Sequence, residues 1–351
     1  MELSQIRTVL HVLPHPGGGG EAYVDALSGM DGYRFERLFL ASSPEPRAAL
    51  RSVLRTAPRT MRRIEVLHVH GEVAGAICLP ALAVRRSLLT LHGLNLLRRS
   101  HGTRRTLAEL NLRLLVRAAH GTICVSESER QDVRQAVGST ASSRVTLIHN
   151  GVEPSIPPSA PERFAARAAL GLTDADVAAV WVGGLEPVKD PLLAARAAVQ
   201  AARDMQLVLL FAGDGPLRVE LERVVASAPD GVVRALGFRR DVARVLAAAD
   251  AFVNSSAREG LAFSVLEAMS VGLPVVVSDA PGNLDAVGDA GLVARRDDAA
   301  SFTEAFLKLR EAESRQEIGR RGQERVRSQF RREEMVDRTK ELYDEMVARG
   351  R

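Results

Sequence analysis

Cysteine is scarce in this 351-residue sequence, which contains only Cys78 and Cys124, and these do not form a C-x-x-C pair. A disulfide-rich secreted fold is therefore excluded, and a reduced intracellular protein is the simplest interpretation. Long apolar runs are also missing: the best candidate, residues 76–84, is too short to span a membrane and contains Pro80. The first residues lack the basic and apolar regions of a secretion signal. We therefore expect a cytoplasmic protein.

Aromatic residues make up only 4% of the chain, and no nucleic-acid-binding module is recognisable, so the formal net charge of +4 does not predict binding to nucleic acid. The charge is uneven: residues 1–158 contain 20 basic and 13 acidic side chains, and residues 159–351 contain 27 and 30. Only three of the 47 basic residues are lysines, namely Lys189, Lys308 and Lys340. Because a lysine can approach a phosphate as a compact point charge, Lys189, which follows a predicted strand, is a candidate site residue.

Short β-rich runs alternate with amphipathic runs along the whole chain, which predicts an α/β fold of parallel sheets covered by helices on both faces. The predicted strands are 8–13, 35–40, 64–69, 88–91, 121–125, 145–148, 177–182, 207–211, 232–236, 251–254, 274–277 and 291–293. The helices predicted between them include 46–56 and 73–85, and the charged tail over 311–349 also has a helical pattern.

Three prolines within residues 155–161 cannot continue a helix or a central strand, so this segment is predicted to be a linker. The first domain then covers 1–154 and the second 162–331, and the last residues, 332–351, form a separate C-terminal helix.

A glycine-rich segment, Pro16-Gly-Gly-Gly-Gly-Glu21, follows the first predicted strand and opens the first helix. Glycines let a backbone approach a ligand closely, and a helix N-terminus attracts an anion, so Gly18 and Gly19 are candidate binding residues. The segment lacks the spacing of a dinucleotide fingerprint and the Gly-Lys-Ser/Thr of a P-loop. A flexible turn is the alternative interpretation.

A second glycine pair, Gly183 and Gly184, again lies between a strand and a helix, and the loop continues to Lys189. Asp190 can cap the following helix, and Pro191 suits its first position. Lys189 is therefore expected beside a helix N-terminus, where the two positive fields suit a phosphate group. A surface lysine is the alternative.

Two glutamates, Glu259 and Glu267, flank a helix start predicted at about Ala262–Phe263, and Leu261, Ala262 and Phe263 are candidate binding residues. At a rise of about 1.5 Å per residue, the first helical amides lie between the two carboxylates. This arrangement suits a nucleotide sugar, since one carboxylate accepts sugar hydroxyls, the amides hold phosphate and the other carboxylate accepts ribose hydroxyls. Two solvated surface glutamates are the alternative.

Together these motifs resemble glycosyltransferase family 4, and the resemblance covers nearly the whole chain. The family's Gly-Arg-Leu-x-x-x-Lys loop corresponds to Gly183 through Lys189, and its E-x7-E segment corresponds to Glu259 through Glu267. Further matching segments are Thr90-Leu-His92-Gly93, Val125-Ser126-Glu127, His149-Asn150-Gly151-Val152, Ala212-Gly-Asp-Gly-Pro216, Leu236-Gly-Phe238, Ala248-Ala-Asp250 and Gly272-Leu-Pro-Val-Val276. One departure stands out: Gly184 stands where the family usually has an arginine, and Arg258 is a candidate substitute.

The resemblance implies the GT-B fold, in which two doubly wound, Rossmann-like domains face a central cleft and a C-terminal helix crosses back to the first domain. It implies a retaining, metal-independent hexosyltransferase without a cofactor, which moves a sugar from a UDP- or GDP-linked donor to a hydroxyl acceptor by front-face attack. The first domain would bind the acceptor and the second the donor. Lys189 would neutralise the departing diphosphate, Glu259 would orient the sugar, and His92 would reach the donor sugar. A buried structural histidine is the alternative for His92.

Residues 94–117 mix leucines with arginines and allow two interpretations. Such a helix could rest on an anionic membrane, at its inner face, and present a lipid-linked acceptor, or it could be an ordinary helix with a solvated face. His68 and His70 alternate on a predicted strand, but the sequence offers no third ligand beside them, so no metal site is predicted.

Two other function classes are compatible with the same motifs. A nucleotide-sugar epimerase would share the two-domain architecture, although the E-x7-E context and the lack of an acid/base set argue against it. A catalytically weak or inactive homologue that binds nucleotide or acts as a scaffold is favoured by Gly184. Donor consumption separates these alternatives, because a scaffold would bind nucleotide without turning the sugar over.

Overall fold

The computed structural model describes residues 6–40, 63–138 and 142–348. The chain divides into two compact units, the first formed by residues 1–151 together with 332–351 and the second by residues 152–331. The helix predicted over 46–56 lies outside the described residues. Among the described helices, none combines the length and apolar character needed to cross a bilayer.

The first unit contains a six-stranded, fully parallel sheet with the strand order β2-β1-β3-β4-β5-β6. Its strands are β1 (Arg7–Leu13), β2 (Tyr33–Phe39), β3 (Val66–His70), β4 (Ser87–Thr90), β5 (Gly121–Cys124) and β6 (Val145–Leu147). Strands β3, β4 and β5 are buried at every position, as expected for parallel strands with helices on both faces.

Helices connect these strands and cover the sheet. They are α1 (Gly18–Leu27), α2 (Glu72–Ile77), α3 (Leu79–Val84), α4 (Asn95–Arg98), α5 (Gly102–Ala118) and α6 (Glu127–Val137). The single helix predicted over 73–85 is wrong, because the chain breaks at Cys78 into α2 and α3. Pro80 explains the break, since it lacks the amide that a continuous helix needs and is tolerated in the first turn of α3.

The second unit contains a second six-stranded parallel sheet with the order β12-β11-β10-β7-β8-β9. Its strands are β7 (Val177–Val182), β8 (Leu207–Ala212), β9 (Val233–Gly237), β10 (Ala251–Asn254), β11 (Val275–Ser278) and β12 (Leu292–Ala294). This is the order of the Rossmann fold, and the predicted α/β class is therefore confirmed.

The helices of the second unit are α7 (Ala160–Ala169), α8 (Pro191–Ala201), α9 (Arg218–Ser227), α10 (Val242–Ala248), α11 (Phe263–Ser270), α12 (Pro281–Val287), α13 (Ala299–Leu307) and α14 (Ala312–Gln329). The proline-rich segment 155–161 lies within this unit, and its last two residues already form the first turn of α7. Ser159 and Glu162 build a capping box there, with the backbone amide of Ser159 donating to Glu162 Oε2 at 2.8 Å. Pro161 does not disturb this helix, because a first-turn amide has no intrahelical partner.

The charged C-terminal tail forms two helices, because α14 ends before Phe330 and the chain resumes as α15 (Arg332–Ala348). Helix α15 belongs to the first unit. It presents Tyr343 to His68, with 2.6 Å between Oη and Nδ1, and Thr339 to Tyr23, with 3.0 Å between the two hydroxyl oxygens. The last helix thus completes the core that begins at β1.

Both sheets have a topological switch point, where the chain changes direction across the sheet. In the first unit this point lies between β1 and β3, and in the second between β7 and β10. Connections on the two sides of a switch point diverge, so the carboxyl ends of these strands leave a crevice suited to ligands. Lys189 follows β7 and Glu259 follows β10, so the fold brings these two loops to one such crevice.

Gly319 in α14 provides a test of how closely this helix packs against the backbone at Gly272. A Cβ atom at Gly319 would lie 2.0 Å from the backbone oxygen of Gly272, whereas one at Gly322 would meet its nearest heavy atom, Met269 Cγ, at 3.5 Å. We expect Gly319→Ala to lower the free energy of unfolding by about 2–3 kcal/mol. We expect Gly322→Ala, the matched control, to be neutral or to stabilise by up to about 1 kcal/mol. Urea unfolding followed by circular dichroism measures both, and equal stabilities would contradict this packing.

Candidate functional site

The centre of the candidate site is an ion pair between Lys189 and Glu259. Lys189 Nζ lies 2.6 Å from Glu259 Oε1. The glutamate side chain is only 8% exposed and the lysine side chain 31%. Such partial burial weakens solvent screening, so this pair interacts more strongly than a surface pair. Two candidates from separate sequence motifs are therefore in direct contact.

Lys189 is held by the loop between β7 and α8. Asp190 caps α8 by accepting a hydrogen bond from the amide of Leu193 at 3.2 Å, and Pro191 occupies the first helical position, as the sequence predicts. Ser255 then ties this loop to the one that follows β10, since its hydroxyl lies 2.7 Å from the backbone oxygen of Asp190 and 3.0 Å from that of Lys189. The lysine is thus anchored through its own backbone.

The backbone of this loop lies very close to the backbone of the loop after β8, and the close approach requires a glycine at position 213. Leu185 donates its amide to the oxygen of Asp214 at 2.9 Å, which joins the loop after β7 to the loop after β8. A Cβ atom at Gly213 would lie 1.8 Å from the backbone oxygen of Gly183, so a glycine is needed there. Gly184 is exposed, and a Cβ atom there would meet only the flexible, exposed Glu186 side chain, at 3.3 Å.

Glu259 is oriented by neutral donors as well as by the lysine. Ser256 donates its hydroxyl to Glu259 Oε1 at 2.7 Å, and Asn254 donates its amide to the same oxygen at 3.3 Å. Asn283, from the first turn of α12, donates to Asn254 Oδ1 at 3.1 Å and to Ser278 Oγ at 2.9 Å. A carboxylate with several donors on one oxygen is held in one orientation.

Four residues that support the Glu259 carboxylate were not predicted from the sequence, namely Asn254, Ser256, Ser278 and Asn283. Asn254 and Ser278 are the last residues of β10 and β11. Polar residues that end adjacent parallel strands meet at one edge of a sheet, so this signal was present in the sequence. It could be used only with the strand order, which places β10 beside β11.

The N-terminus of α11 lies next in the chain after Glu259. Helix α11 begins at Phe263, with Ala262 at the capping position, and no side chain among the described residues caps it. Leu261 is buried, whereas Ala262 and Phe263 are half-buried. An N-terminus without a capping side chain offers partial positive charge to an anion.

Glu267 lies on α11, on the fifth residue of the helix. Its side chain is exposed, and partial removal from water still raises the pKa of its carboxyl. Glu267 and Glu259 therefore differ in environment, because Glu259 is held inside a hydrogen-bond network while Glu267 is open to a ligand.

Arg258, the proposed substitute for the missing arginine, precedes Glu259 in the same loop. Its side chain is partly buried, and its Nε atom is buried without a hydrogen-bond partner among the described residues. A buried, unpaired guanidinium nitrogen is costly, so it favours the binding of an acceptor such as a phosphate oxygen.

In the first unit the glycine-rich segment forms the start of α1. Gly17 and Gly18 have φ values of 81° and 80°, which only glycine adopts readily, and Gly18 and Gly19 lie in the first helical turn. Glu21 Oε2 accepts a hydrogen bond from the amide of Gly17 at 2.5 Å, and Arg37 pairs with Glu21 at 3.3 Å. A carboxylate of the chain therefore already occupies part of this helix N-terminus.

His92 lies two residues beyond the carboxyl end of β4, in a left-handed backbone conformation with φ 66°. The next residue, Gly93, donates its amide to the carboxylate of Glu129, which also accepts the amide of Val125 at 2.7 Å. Burial raises the pKa of the Glu129 carboxyl to about 7. A non-glycine residue held in this region stores strain, which is characteristic of functional positions.

His92 also belongs to a group of four stacked histidines. His11 and His68 are paired in register on β1 and β3, His70 follows on the same face of β3, and neighbouring rings lie 4.3–5.2 Å apart. The sequence around His68 and His70 offers no third histidine, because His11 comes from a strand far away in sequence. Burial lowers the pKa of all four side chains, to about 3 for His11 and about 4 for His92.

Two family models match the chain: the model described as Glycosyltransferase Family 4 over residues 8–156, and that described as Glycosyl transferases group 1 over residues 177–312. Together they span both structural units and include Lys189, Glu259 and His92. The chain belongs to the family 4-like glycosyltransferases. The family suggested by the sequence motifs is thereby confirmed.

Two curated glycosyltransferases illustrate the sequence similarity. The UDP-Gal:alpha-D-GlcNAc-diphosphoundecaprenol alpha-1,3-galactosyltransferase of Escherichia coli is 31% identical over 144 residues, which are 40% of this chain and 37% of the relative. The alpha-maltose-1-phosphate synthase of Mycolicibacterium smegmatis is 31% identical over 256 residues, which are 67% of this chain and 66% of the relative. This chain thus matches less than two-fifths of the length of the Escherichia coli enzyme.

A solved structure has the same fold over nearly the whole length of this chain. Anabaena HepE, crystallised in complex with UDP and glucose, superimposes with a TM-score of 0.78 over 97% of this chain and 100% of that chain, at 18% identity. At this identity the likeness shows the fold alone. It confirms the GT-B fold that the sequence motifs imply.

Proposed function

We propose that this protein transfers a sugar from a nucleoside-diphosphate donor, UDP- or GDP-linked, to a hydroxyl acceptor with retention of anomeric configuration. The observation that carries the proposal is the Lys189–Glu259 pair beside the N-terminus of α11, at the switch point of the second sheet. The HepE structure, which holds UDP and glucose in the same fold, supports a nucleotide-sugar donor. The second unit is then the donor-binding domain and the first the acceptor-binding domain.

The main chemical task is to stabilise the charge that grows on the departing diphosphate. In the proposal, Lys189 turns from Glu259 to a phosphate oxygen, and the α11 N-terminus at Ala262–Phe263 binds the same group. These residues supply the positive charge themselves, so we propose that the reaction proceeds without a divalent metal and without a cofactor. Gly183 and Gly184 allow the loop to approach the donor, and Glu267 accepts the ribose hydroxyls.

Glu259 positions the sugar and does not attack it. When Lys189 leaves, Ser256 and Asn254 still hold the Glu259 carboxylate, which then accepts a hydroxyl of the sugar. A carboxylate restrained in this way is poorly suited to form a covalent intermediate. We therefore propose attack by the acceptor on the same face from which the diphosphate leaves, with His92 binding a sugar hydroxyl. Gly18 and Gly19 lie at the carboxyl edge of the first sheet and contact the bound substrate.

The donor assay tests the function and the role of Lys189 together. UDP- and GDP-linked hexoses are incubated with the protein in EDTA, and released nucleoside diphosphate is measured. Lys189→Ala should lower kcat about 100- to 1,000-fold, the usual cost of losing one donor to developing anionic charge. Lys308→Ala is the matched control, because Lys308 is exposed at the end of α13, and it should leave kcat unchanged.

Near-normal turnover by Lys189→Ala would contradict the assignment. Nucleotide-dependent stabilisation without any release of diphosphate would favour the scaffold alternative, and conversion of the donor into an epimer would favour the epimerase. Detection of the anomeric configuration of the product by NMR tests retention.

Arg258 is proposed to contact the diphosphate in place of the arginine that the family usually has at the position of Gly184. Losing one charge-assisted hydrogen bond should lower kcat about 10- to 100-fold in Arg258→Ala. The conformation of Gly184 and the exposed Glu186 beside it leave room for a larger residue. The double variant Arg258→Ala/Gly184→Arg should therefore recover most of the lost activity.

The matched control for Arg258 is Arg203→Ala, because Arg203 is exposed after the end of α8. A loss of activity in Arg258→Ala that Gly184→Arg does not reverse would indicate that Arg258 acts elsewhere.

On the acceptor side, α5 presents an apolar stripe to solvent. Leu107, Leu110 and Leu114 lie on one side of the helix and are 65%, 49% and 45% exposed. The exposed Arg104 and Arg117 lie toward the two ends of the stripe. Apolar side chains flanked by cations fit an anionic membrane surface, so we propose that this helix brings the enzyme to a lipid-linked acceptor at the inner face of the membrane.

Sedimentation with vesicles tests this contact. The protein should bind phosphatidylglycerol vesicles at low salt and bind less at moderate salt, because salt screens the arginines. Leu107→Ser/Leu114→Ser should weaken the binding, whereas Val219→Ser, at an exposed residue of α9 in the other unit, should not. Equal sedimentation of all three proteins, or none, would contradict the proposal.

A further inference from the structure

Three of the four stacked histidines form a line of hydrogen bonds that ends at His92. His11 Nδ1 lies 2.9 Å from His70 Nε2, and His70 Nδ1 lies 2.9 Å from His92 Nε2. His11 and His70 are almost completely buried, and His92 is half-buried. The Nδ1 atom of His92 makes no hydrogen bond within the described residues, so it is the end of the line that a ligand can reach. We call these three residues the histidine line.

His68 stacks on the same rings but lies outside the histidine line. Its Nδ1 atom pairs with the hydroxyl of Tyr343 at 2.6 Å and its Nε2 atom with that of Thr90 at 2.7 Å. One ring nitrogen from each of His11, His68 and His70 lies within 4.8 Å of the other two, which is close enough to consider a metal ion. The 2.9 Å separation between His11 and His70 is instead that of a hydrogen bond, and both nitrogens of His68 already have oxygen partners.

The line must have a direction, because each neutral imidazole has one donor and one acceptor. Burial keeps the three rings neutral at pH 7, and the nearby Arg37 acts in the same sense on His11. Either every Nδ1 carries the proton and His11 donates to His70, which donates to His92, or every Nε2 carries it and all donations are reversed. Hydrogen positions follow from the network of partners, so the ends of the line decide between these two patterns.

The buried end of the line favours one direction. His11 Nε2 is buried and has no hydrogen-bond partner among the described residues. If the proton were on this atom, a buried N–H donor would be left unpaired, whereas in the other pattern the atom has only an unused lone pair. Unpaired buried N–H groups are rarer and more costly than unused acceptors. The Nδ1–H pattern is therefore the more stable one.

We propose that His11 and His70 are positioning residues that hold His92 in the Nδ1–H tautomer, so that His92 offers a hydrogen-bond donor, and not a base, to an oxygen atom of the ligand. The identity of that oxygen as a sugar hydroxyl rests on the proposed function. The direction of the histidine line does not rest on it. In this role His92 holds the sugar and takes no proton from the acceptor.

The direct test is the tautomeric state of the histidines in the full-length protein without substrate. Long-range ¹H–¹⁵N correlation spectra of protein labelled at histidine distinguish Nδ1–H from Nε2–H rings, and single variants assign the signals. At pH 7.5 His11, His70 and His92 should all be Nδ1–H rings. A His92 ring protonated on Nε2, or one that exchanges between the two forms, would overturn the proposal in the unmodified protein.

Variants test whether the line causes this state. His11→Leu removes the donor to His70, so the signals of His70 and His92 should shift toward a mixture of tautomers. His11→Asn places an amide donor near the position of Nδ1 and should restore the Nδ1–H form of His92. His68→Gln, in the same stack but outside the line, is the matched control and should leave His92 unchanged. A His92 signal that is the same in His11→Leu would overturn the role of the line.

Transfer assays separate this inference from the proposed function. We expect His11→Leu to lower kcat about 5- to 10-fold with little change in KM, and His11→Asn to recover most of it. If the unmodified protein turns over no donor, the proposed function fails while the tautomer result stands. If transfer is normal but His92 is protonated on Nε2, only this inference fails. One equivalent of bound zinc that His11→Leu loses would also overturn it.

Discussion

The ion pair between Lys189 and Glu259 is the interaction on which the candidate site depends. It joins loops that leave β7 and β10, the two strands on either side of the switch point, and Ser255 ties the same loops together through backbone oxygens. In the free protein the two charged side chains neutralise each other, so neither is left unpaired in its partly buried environment. In the proposed reaction the ligand offers an anion to the lysine and a hydroxyl to the carboxylate at the same time. A phosphate linked to a sugar meets both conditions, whereas an isolated anion or an isolated sugar meets only one.

The two units place different chemistry at the same topological position. The switch point of the second sheet holds a charged pair and a helix N-terminus that no side chain among the described residues caps, and both are suited to phosphate. The switch point of the first sheet holds a neutral set of histidines, and the adjacent helix N-terminus is partly occupied by Glu21. The first unit therefore offers directional hydrogen bonds from uncharged rings, which suits hydroxyl groups. Under the proposed function, the second unit binds phosphate and the first binds hydroxyl groups, in keeping with these contrasting environments.

Local sequence signals predicted much of this structure. The capping of α8 by Asp190 and the start of α11 at Phe263 could be located because both depend on residues within a few positions of each other. The break at Cys78 was missed although Pro80 marks it, because the apolar pattern continues across it. The contact between Lys189 and Glu259 could be expected only from a family resemblance, since the two residues are 70 positions apart.

The histidine line and the network beneath Glu259 depend on strand order. His11 meets His68 because β1 pairs with β3, and Asn254 meets Asn283 because β10 lies beside β11. Periodicity within one strand shows which face a residue occupies but does not show which strand lies next to it. A single sequence therefore shows which polar residues could take part in such networks, but it does not show which of them are partners.

The path of the chain also has a consequence for biosynthesis. Tyr343 contacts His68 and Thr339 contacts Tyr23, but the ribosome adds both residues only after all of residues 152–331. The second unit is continuous in sequence, so it can fold as soon as it has emerged. The first unit cannot complete its fold before then, because one face of its sheet stays uncovered. His68 and Tyr23 remain exposed to water until α15 has been synthesised. The first unit is therefore the first to be translated and the last to complete its fold.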